Sequence, residues 1–441
     1  MPGNLNAPYN VERFRARARR RLPRPIFDFV DGAAEDELTR GENESALREL
    51  YLWPRALMAA GKPDLSSTVC GLPLSMPLIC APTGYVGVVH PDGELARAVA
   101  APRLGTAAVV SSAATYSLEE LGEACPAPPW FQLYPTVDHR VTGDLMERAV
   151  AIGVPVLVVT VDVPTPGKRE RDLANHWTIQ PQLTARNAAS FAAHPAWAAR
   201  LVARPRIFAK NYADERVGVR PRDVLKLLRR STGLMQPTVD WDDLAWIRRT
   251  WPDKLLIKGV LRPDDARRAI DIGADGVIVS NHGGRQLDGT PASIRALPAV
   301  ADAVGQEADV LLDGGIRRGS DVVRALALGA KACLIGRPWV YGLAVGGTAG
   351  VQAVLEVLRD EIERTLILLG CPAARDVDAG YVSAARSFTT AQAPIAAPLS
   401  RVGVSRLGFT RSLDRRPRDQ VDDARLGGVA GGGHLRLGSR R

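Results

Sequence analysis

His282 and Arg285 stand three residues apart in the segment SNHGGRQLD, which covers residues 280–288. The segment follows the apolar run GVIVS, and an α/β protein places its chemistry at the carboxyl ends of such buried strands. Gly283 and Gly284 let the backbone come close to a ligand. A lone histidine is more often structural than catalytic, so the rest of the chain must decide its role.

Eight short apolar runs, most of them ending in polar groups, are spaced widely enough for a helix to lie between most of them. They cover residues 77–84, 106–112, 130–134, 155–162, 255–259, 276–284, 309–315 and 332–338. Helical patterns such as RPDDARRAIDIG lie between them, each closed by a glycine that suits the left-handed C-cap. The pattern predicts an α/β fold, a (β/α)8 TIM barrel, with the polar run ends converging at its C-terminal mouth.

A doubly wound sheet is the main alternative fold, but no GxGxxG follows an opening strand and no acidic partner stands about 20 residues later. Nicotinamide binding by that route is therefore disfavoured. The last two runs instead lead into DGGIRRGSD and LIGRPW. Taken singly, DGG or GRP could be a tight turn, but together and in this order they predict the phosphate site that this barrel forms after its seventh and eighth strands.

With these motifs, residues 10–385 resemble the FMN-dependent α-hydroxy-acid oxidase and dehydrogenase family, which includes glycolate oxidase, L-lactate dehydrogenase and mandelate dehydrogenase. The resemblance implies that His282 is the catalytic base and that Asp162 pairs with its imidazolium. It also implies that Tyr134 hydrogen-bonds the substrate oxygens and that Lys258 lies at the flavin N1 side. The substrate carboxylate would be bound by Arg285 and Arg169.

The cofactor implied by the resemblance is FMN, because oxidising a 2-hydroxy acid needs a two-electron acceptor that no side chain supplies. One phosphate site and no second nucleotide fold favour FMN over FAD. The residues expected to bind it are Ala81, Pro82, Thr83, Ser111, Gln132, Thr160, Lys258, Ser280, Asp313, Gly314, Gly315, Arg317, Gly336 and Arg337. The phosphate itself would fall to Asp313 and the residues that follow it in this series.

Two positions depart from the family pattern. Phe29, in FDFVDGAAEDE, stands where a substrate-binding tyrosine is expected, and Ala113 stands where glycolate oxidase has a bulky tryptophan. A small residue leaves room for an aromatic substrate, and KRERDLAN most resembles mandelate dehydrogenase. We expect an (S)-2-hydroxy acid with a mandelate-like or bulky substituent. Alternatives are a lactate- or glycolate-type enzyme, or a flavin-binding protein that has lost catalysis. Oxygen, a quinone or another carrier could accept the electrons.

The net charge of +9 does not indicate nucleic-acid binding, because residues 391–441 hold ten Arg and four Asp and so carry +6 of it. This Arg- and Gly-rich tail is predicted to be disordered, and residues 1–390 to form the enzyme domain. The long segment between the predicted strands four and five, residues 178–240, stands where the resemblance implies a variable active-site loop. Within it, Phe191, Trp197 and Phe208 are mixed with basic residues. Such a segment could contact a membrane surface, contact another subunit or act as a mobile lid.

No signal peptide and no apolar run of about 18 residues is evident, which favours a cytoplasmic protein, possibly associated with a membrane. The histidines form no metal-ligand pair, so we expect no metal. The family resemblance implies a homo-oligomer, either a tetramer or an octamer.

Overall fold

The computed structural model describes residues 8–59, 61–177, 184–212 and 239–384. Its strands are β1 Leu50–Leu52, β2 Ser67–Val69, β3 Leu72–Leu74, β4 Leu78–Cys80, β5 Val109–Ser111, β6 Trp130–Leu133, β7 Val156–Thr160, β8 Lys254–Val260, β9 Gly276–Val279, β10 Asp309–Asp313, β11 Ala332–Ile335 and β12 Val382–Ala384. Its helices are α1 Val11–Arg21, α2 Arg24–Asp31, α3 Leu38–Arg48, α4 Leu95–Arg103, α5 Leu118–Ala124, α6 His139–Ala151, α7 Glu170–Ala174, α8 Ala185–Ala192, α9 Pro195–Ala203, α10 Trp241–Thr250, α11 Pro263–Asp271, α12 Ser293–Val304, α13 Gly319–Ala327 and α14 Arg337–Leu369.

Strands β4 to β11 form one parallel sheet in which each strand pairs with the next along the chain. The first and last strands pair with each other, with Leu78 opposite Cys333, and a bridge from Cys80 to Ala108 joins β4 to the start of β5. The sheet is thereby closed, and the predicted (β/α)8 barrel is confirmed. All eight apolar runs overlap a barrel strand.

Strand alternation decides which side chains enter the barrel. Val156 and Val158 of β7 pack in the barrel interior, whereas Leu157 and Val159 face the helices. Because successive side chains of a strand point to opposite faces, Thr160 follows the two valines into the barrel at its upper end. The same step of two residues links an interior apolar residue to a predicted site residue on other strands: Val109 to Ser111, Trp130 to Gln132, Leu256 to Lys258, Ile278 to Ser280 and Leu311 to Asp313.

The helices α4, α11 and α13 end as the sequence predicts. Gly105, Gly273 and Gly329 follow them by two residues and have φ values of 66°, 102° and 100°. These are left-handed conformations that glycine adopts without steric cost. The opposite end of the barrel is covered by the hairpin β2–β3, whose Val69 and Leu74 pack against the interior residues.

Helix α14 is the longest element of the described chain and is kinked at Gly346 and Gly347. By length and composition it could cross a membrane, but 61% of its most apolar stretch is buried inside the molecule. It packs against α1, α4 and α13. We therefore interpret α14 as an internal helix of this domain.

The described residues belong to the first of two units of the chain, Met1–Pro394. The tail predicted for residues 391–441 lies outside the described residues, as do residues 178–183 and 213–238 of the predicted variable loop. The described part of that loop, residues 184–212, forms α8, α9 and a 3-10 turn at Lys210–Tyr212.

Candidate active site

A cavity of about 890 Å³ opens at the C-terminal mouth of the barrel. Most of the residues predicted to bind cofactor or substrate line it: Phe29, Ala81, Pro82, Thr83, Ser111, Ala113, Tyr134, Thr160, Arg169, Lys258, His282, Arg285, Asp313, Gly314, Gly315, Arg317, Gly336 and Arg337. Three predicted residues lie behind its wall instead. Asp162 contacts His282, Gln132 contacts Ser111, and Ser280 contacts Lys258.

His282 and Asp162 form a hydrogen-bonded pair, with 3.0 Å between the imidazole Nδ1 and the carboxylate Oδ1. The backbone of His282 has a φ of 57°, an uncommon conformation for a residue other than glycine. The backbone N–H of His282 donates to Ser280 Oγ at 3.0 Å. Gly259, in β8, leaves the space for Asp162, since a Cβ there would lie 2.6 Å from the Asp162 side chain. With Nδ1 held by the carboxylate, the Nε2 of His282 is the atom left to exchange a proton.

The carboxylate of Asp162 is kept ionised by its neighbours. Burial raises its pKa, but the interaction and hydrogen bond with His282 and the positive charge of Lys258 outweigh burial and hold it below the ordinary value. An ionised acid beside the histidine stabilises the imidazolium that forms when the base takes up a proton.

Lys258 lies at the centre of the mouth with its ammonium 2.8 Å from Asp313 Oδ2 and 2.8 Å from Ser280 Oγ. Burial lowers the pKa of this lysine, but Asp313 and Asp162 more than offset burial and raise it. Lys258 is therefore a fixed cation. Asp313 is directed at this lysine, so its carboxylate is not placed as a phosphate ligand would be.

Three arginines of the cavity wall, Arg169, Arg285 and Arg337, have no carboxylate within salt-bridge distance among the described residues. Arg285 Nη1 instead donates to the carbonyls of Phe29 and Gly32, at 3.0 and 2.8 Å. Burial, together with the charges of Arg169 and Arg337, holds the pKa of Arg285 well below its ordinary value. Buried cations without counterions are costly. The cavity therefore favours an anionic ligand.

Phe29 lies against this cluster, with the Arg285 guanidinium carbon 5.7 Å from its ring centroid. It reaches the cavity from α2, an element that the sequence did not predict. Tyr134 lines the same wall, and burial together with Asp162 raises its pKa, so its hydroxyl stays protonated and can donate. Ala113 also lines the cavity and is buried.

Orphaned polar atoms test whether FMN fits the cavity. Gln132 Nε2, Thr160 Oγ1, Asp313 Oδ1 and Arg337 Nε are buried and have no hydrogen-bond partner among the described residues. Gln132 uses its Oε1 to accept from Ser111 at 2.6 Å, which leaves its amide donor free. Buried polar groups are normally paired. A ligand with ring carbonyls, hydroxyls and a phosphate, as FMN has, would supply the missing partners.

The residues predicted to hold the phosphate, called the cradle below, lie in the loop after β10 and at the start of α14. Gly314 and Gly315 have φ values of 101° and 83°, and a Cβ on Gly315 would lie 2.1 Å from the Asn43 carbonyl oxygen. Gly336 is the N-cap of α14, where backbone N–H groups attract an anion. Arg317 lines the cradle but also pairs with Glu44 at 3.1 Å.

Several cavity residues were not predicted from the sequence. Asp172 lines the wall, and burial raises the pKa of its carboxyl despite the charges of Arg285 and Arg169. A set of apolar residues covers the outer part of the mouth: Tyr85, Val88, Leu173, Trp177, Phe191, Trp197, Leu201 and Ile207. The aromatic content of the segment around residues 191–208 was a signal for Phe191, Trp197, Leu201 and Ile207 alone; the other four had none.

The segment around residues 191–208 was predicted to contact a membrane, to contact another subunit or to act as a mobile lid. Two of its aromatic rings face the cavity. Phe191 and Trp197 stack with centroids 5.3 Å apart and line the cavity. Trp197 is 7% exposed and donates from Nε1 to the Val88 carbonyl at 2.7 Å. The rings of Phe191 and Trp197 thus form part of the pocket wall.

The barrel mouth brings together a histidine–aspartate pair, three arginines without a carboxylate partner among the described residues and two loops rich in glycine, an arrangement typical of an enzyme that acts on an anionic substrate. Residues 18–384 match the family model described as FMN-dependent dehydrogenase, and the chain belongs to this family. The predicted family and its cofactor, FMN, are confirmed.

Relatives and solved structures agree with this assignment. The chain is 40% identical to L-lactate oxidase of Nostoc sp. over 382 residues, covering 86% of this chain and 99% of that protein. It is 43% identical to L-lactate dehydrogenase of Caulobacter vibrioides over 376 residues, covering 82% and 94%. The structure matches monotopic membrane protein (S)-mandelate dehydrogenase with a TM-score of 0.81 and 38% identity, covering 87% of this chain and all of that one. The predicted class of enzyme, an FMN-dependent 2-hydroxy-acid oxidase or dehydrogenase acting on a CH–OH group, is confirmed.

Proposed function

We propose that the protein oxidises an (S)-2-hydroxy acid with a bulky, mandelate-like substituent to the 2-oxo acid. This choice rests on the apolar part of the cavity, which is lined by Ala113, Trp177, Phe191 and Trp197 and is called the apolar chamber below. Ala113 is small and leaves space, and the three aromatic residues supply surface for a substrate ring. The solved (S)-mandelate dehydrogenase is named for such a substrate, whereas the two relatives described above are named for lactate.

In the proposed mechanism, Arg285 and Arg169 hold the substrate carboxylate, because a guanidinium meets a carboxylate with two parallel N–H groups. This fixes the hydroxyl-bearing carbon near His282 and Tyr134. The substrate loses two protons and two electrons; His282 Nε2 takes up one proton, and Asp162 stabilises the resulting imidazolium. Tyr134 donates a hydrogen bond from its hydroxyl to a substrate oxygen. FMN, when bound, would supply the acceptor for the two electrons and the second proton.

For the cofactor, we propose that Ala81–Thr83, Ser111, Gln132 and Thr160 contact the ring system and that Lys258 supplies positive charge where electrons arrive. The glycines of the cradle, with Arg317 and Arg337, would hold the phosphate. Because Asp313 is turned towards Lys258, we assign its free oxygen to a ribityl hydroxyl and not to the phosphate.

The test is anaerobic mixing of the purified holoenzyme with (S)-mandelate, L-lactate and glycolate while flavin absorbance is followed. We expect mandelate to bleach the flavin with the highest kcat/KM. Ala113→Trp, which fills the chamber, should lower the value for mandelate far more than that for glycolate. Faster reduction by lactate or glycolate in the unaltered protein would contradict the bulky-substrate proposal, and no bleaching by any of the three would favour a protein without catalysis. Admission of oxygen or a quinone then identifies the acceptor.

We also propose that the enzyme is cytoplasmic and homo-oligomeric and that residues 184–212 contact a membrane beside the cavity opening. Val202, at the rim of the cavity, is 82% exposed and lies between the exposed Arg200 and Arg204. An apolar side chain flanked by arginines suits an anionic lipid surface. Sedimentation with anionic vesicles should be lost in Val202→Asp and kept in Val150→Asp, an exposed valine on α6. Equal sedimentation of both variants would contradict this contact.

A further inference from the structure

Arg97, in α4, is a fully buried arginine that lies behind the wall of the cavity. Its Nη1 donates to two carbonyl oxygens of one loop, Ala81 at 3.2 Å and Thr83 at 3.3 Å. The guanidinium lies over the Trp339 ring, 4.4 Å from its centroid, and Trp339 Nε1 donates to the same Ala81 carbonyl at 3.1 Å. Arg97 and Trp339 thus both donate hydrogen bonds to the loop that follows β4, on the side of the loop away from the cavity.

The charge of Arg97 is only partly compensated. Its Nε and Nη2 have no hydrogen-bond partner among the described residues. The buried acid nearest in sequence is Glu94, one turn earlier on the chain, but its oxygens already accept from Thr115 Oγ1 at 2.6 Å and from the Val86 N–H at 3.3 Å. Burial lowers the pKa of Arg97 to about 10, which Glu94 partly opposes, so the side chain stays protonated at neutral pH.

A buried cation without a direct ion pair is expensive to keep, which indicates that it serves something beyond packing. The loop that Arg97 contacts, Ala81 to Thr83, lines the cavity on its other face. Because the Ala81 and Thr83 carbonyl oxygens accept hydrogen bonds from Arg97, their partial negative charges point away from the cavity. Arg97 also places a positive charge just behind the loop, where low polarity makes it act over a longer distance.

We infer that Arg97 is a positioning residue for the flavin: it holds the Ala81–Thr83 loop in shape and, by its charge, favours the negatively charged two-electron reduced cofactor over the oxidised one. This inference rests on the proposed placement of FMN against that loop. Lys258 is proposed above to supply positive charge where electrons arrive. Arg97 would supply a second buried positive charge, from the side of the loop that faces away from the cavity.

The experiment compares Arg97→Gln, Arg97→Lys and a control, Arg103→Gln, at the exposed end of the same helix. Two quantities are measured: the midpoint potential of bound FMN by anaerobic dye-referenced titration with dithionite, and the affinity of apoprotein for oxidised FMN by fluorescence quenching. Neither needs a hydroxy acid, so a failure of the proposed substrate would leave both measurable.

We expect Arg97→Gln to weaken binding of reduced FMN at least tenfold more than binding of oxidised FMN, which is a fall in potential of about 30 mV for a two-electron couple. Arg97→Lys keeps the charge, but its shorter side chain does not carry the ammonium to the position of Nη1 between the two carbonyls. It should therefore retain most of the potential while binding oxidised FMN about tenfold more weakly. Arg103→Gln should change neither quantity. A potential in Arg97→Gln equal to that of the Arg103→Gln control would overturn the inference and leave Arg97 a packing residue. Should Arg97→Gln fail to fold, unaltered FMN affinity in Arg97→Lys would overturn it equally.

Discussion

Replacing Asp162 by asparagine should cripple the proposed base while leaving the cavity intact. The change removes one charge and keeps the shape of the side chain. At the 3.0 Å between Asp162 Oδ1 and His282 Nδ1, two unit charges in an effective dielectric of about 20 attract by about 5.5 kcal/mol. Since about 1.36 kcal/mol is a factor of ten, that attraction corresponds to about four powers of ten as an upper bound. Lys258 keeps Asp313 as its partner, so it adds little to the loss.

The amide also reverses the direction of the hydrogen bond. An asparagine N–H can donate to His282 Nδ1, which leaves the ring proton on Nε2, where a proton must be accepted. Charge loss and the wrong tautomer act together, and we expect flavin reduction to slow by about 10³- to 10⁴-fold. Because the wild-type pKa of Asp162 lies below its ordinary value, the carboxylate is ionised from about pH 5 to 9 and the deficit should persist across that range.

The assay is anaerobic stopped-flow reduction of the bound flavin, with FMN affinity measured in parallel. FMN affinity should be unchanged, because Asp162 lies behind the cavity wall. Gly259→Ala is a companion variant that alters no charge: its Cβ would lie 2.6 Å from the Asp162 side chain, and the displaced carboxylate should also slow reduction. A reduction rate in Asp162→Asn within tenfold of wild type would refute the assignment of His282 and Asp162 as a catalytic pair.

Three further variants probe the surroundings. Phe29→Tyr adds a hydroxyl beside Arg285, and a bond from it to a bound carboxylate should tighten substrate about ten- to a hundredfold; unchanged affinity, measured by flavin reduction at several concentrations, would place the carboxylate elsewhere. Arg285→Lys loses the planar guanidinium that Nη1 anchors to the Phe29 and Gly32 carbonyls and that would meet a carboxylate with two N–H groups, and it should slow reduction at least about a hundredfold; near-normal turnover would contradict its role. Asp31→Asn breaks a fully buried carboxylate's bonds to arginines and should cost about 3 to 5 kcal/mol of unfolding free energy at pH 7, measured with urea. Burial raises the pKa of Asp31, but Arg15 and Arg40 hold it well below its ordinary value. The contribution is therefore complete above about pH 4 and declines as the pH falls; a deficit equal at pH 7 and pH 3 would be inconsistent with it.

The barrel and most of the mouth were predictable because strand alternation is local. Once a run such as VLVVT is recognised as a buried strand, the alternation of its side chains determines the face on which its last residue lies. Thr160 faces the barrel interior because Val158, two residues earlier, does. The glycine cradles were predictable for a related reason, since Gly314 and Gly315 adopt backbone conformations that other residues resist.

Residues that depend on distant contacts were not predictable from the sequence. Phe191 and Trp197 looked like possible surface aromatics, and only the docking of Trp197 on the Val88 carbonyl turns them into the pocket. Arg97 sits in an alanine-rich helix with no motif, and its role emerges from two carbonyls more than ten residues earlier. The sequence gives no sign that the backbone of His282 is left-handed, a conformation seen only in the structure, where its backbone N–H donates to Ser280 Oγ.

Pairing, not motif membership, separates the structural arginines of this chain from those available to ligands. Arg15, Arg40 and Arg171 all contact the buried Asp31 carboxylate, at 2.6 to 3.3 Å. That carboxylate also accepts from the Tyr341 hydroxyl at 2.7 Å. Next to this neutralised cluster, the Gly32 carbonyl accepts from both Arg285 and Arg337, at 2.8 Å each. A carbonyl orients a guanidinium without cancelling its charge, so these two arginines are fixed in place and still able to bind an anion. One short segment, Asp31–Gly32, thereby stabilises the fold through one residue and orients both the proposed substrate arginine and the proposed phosphate arginine through the next.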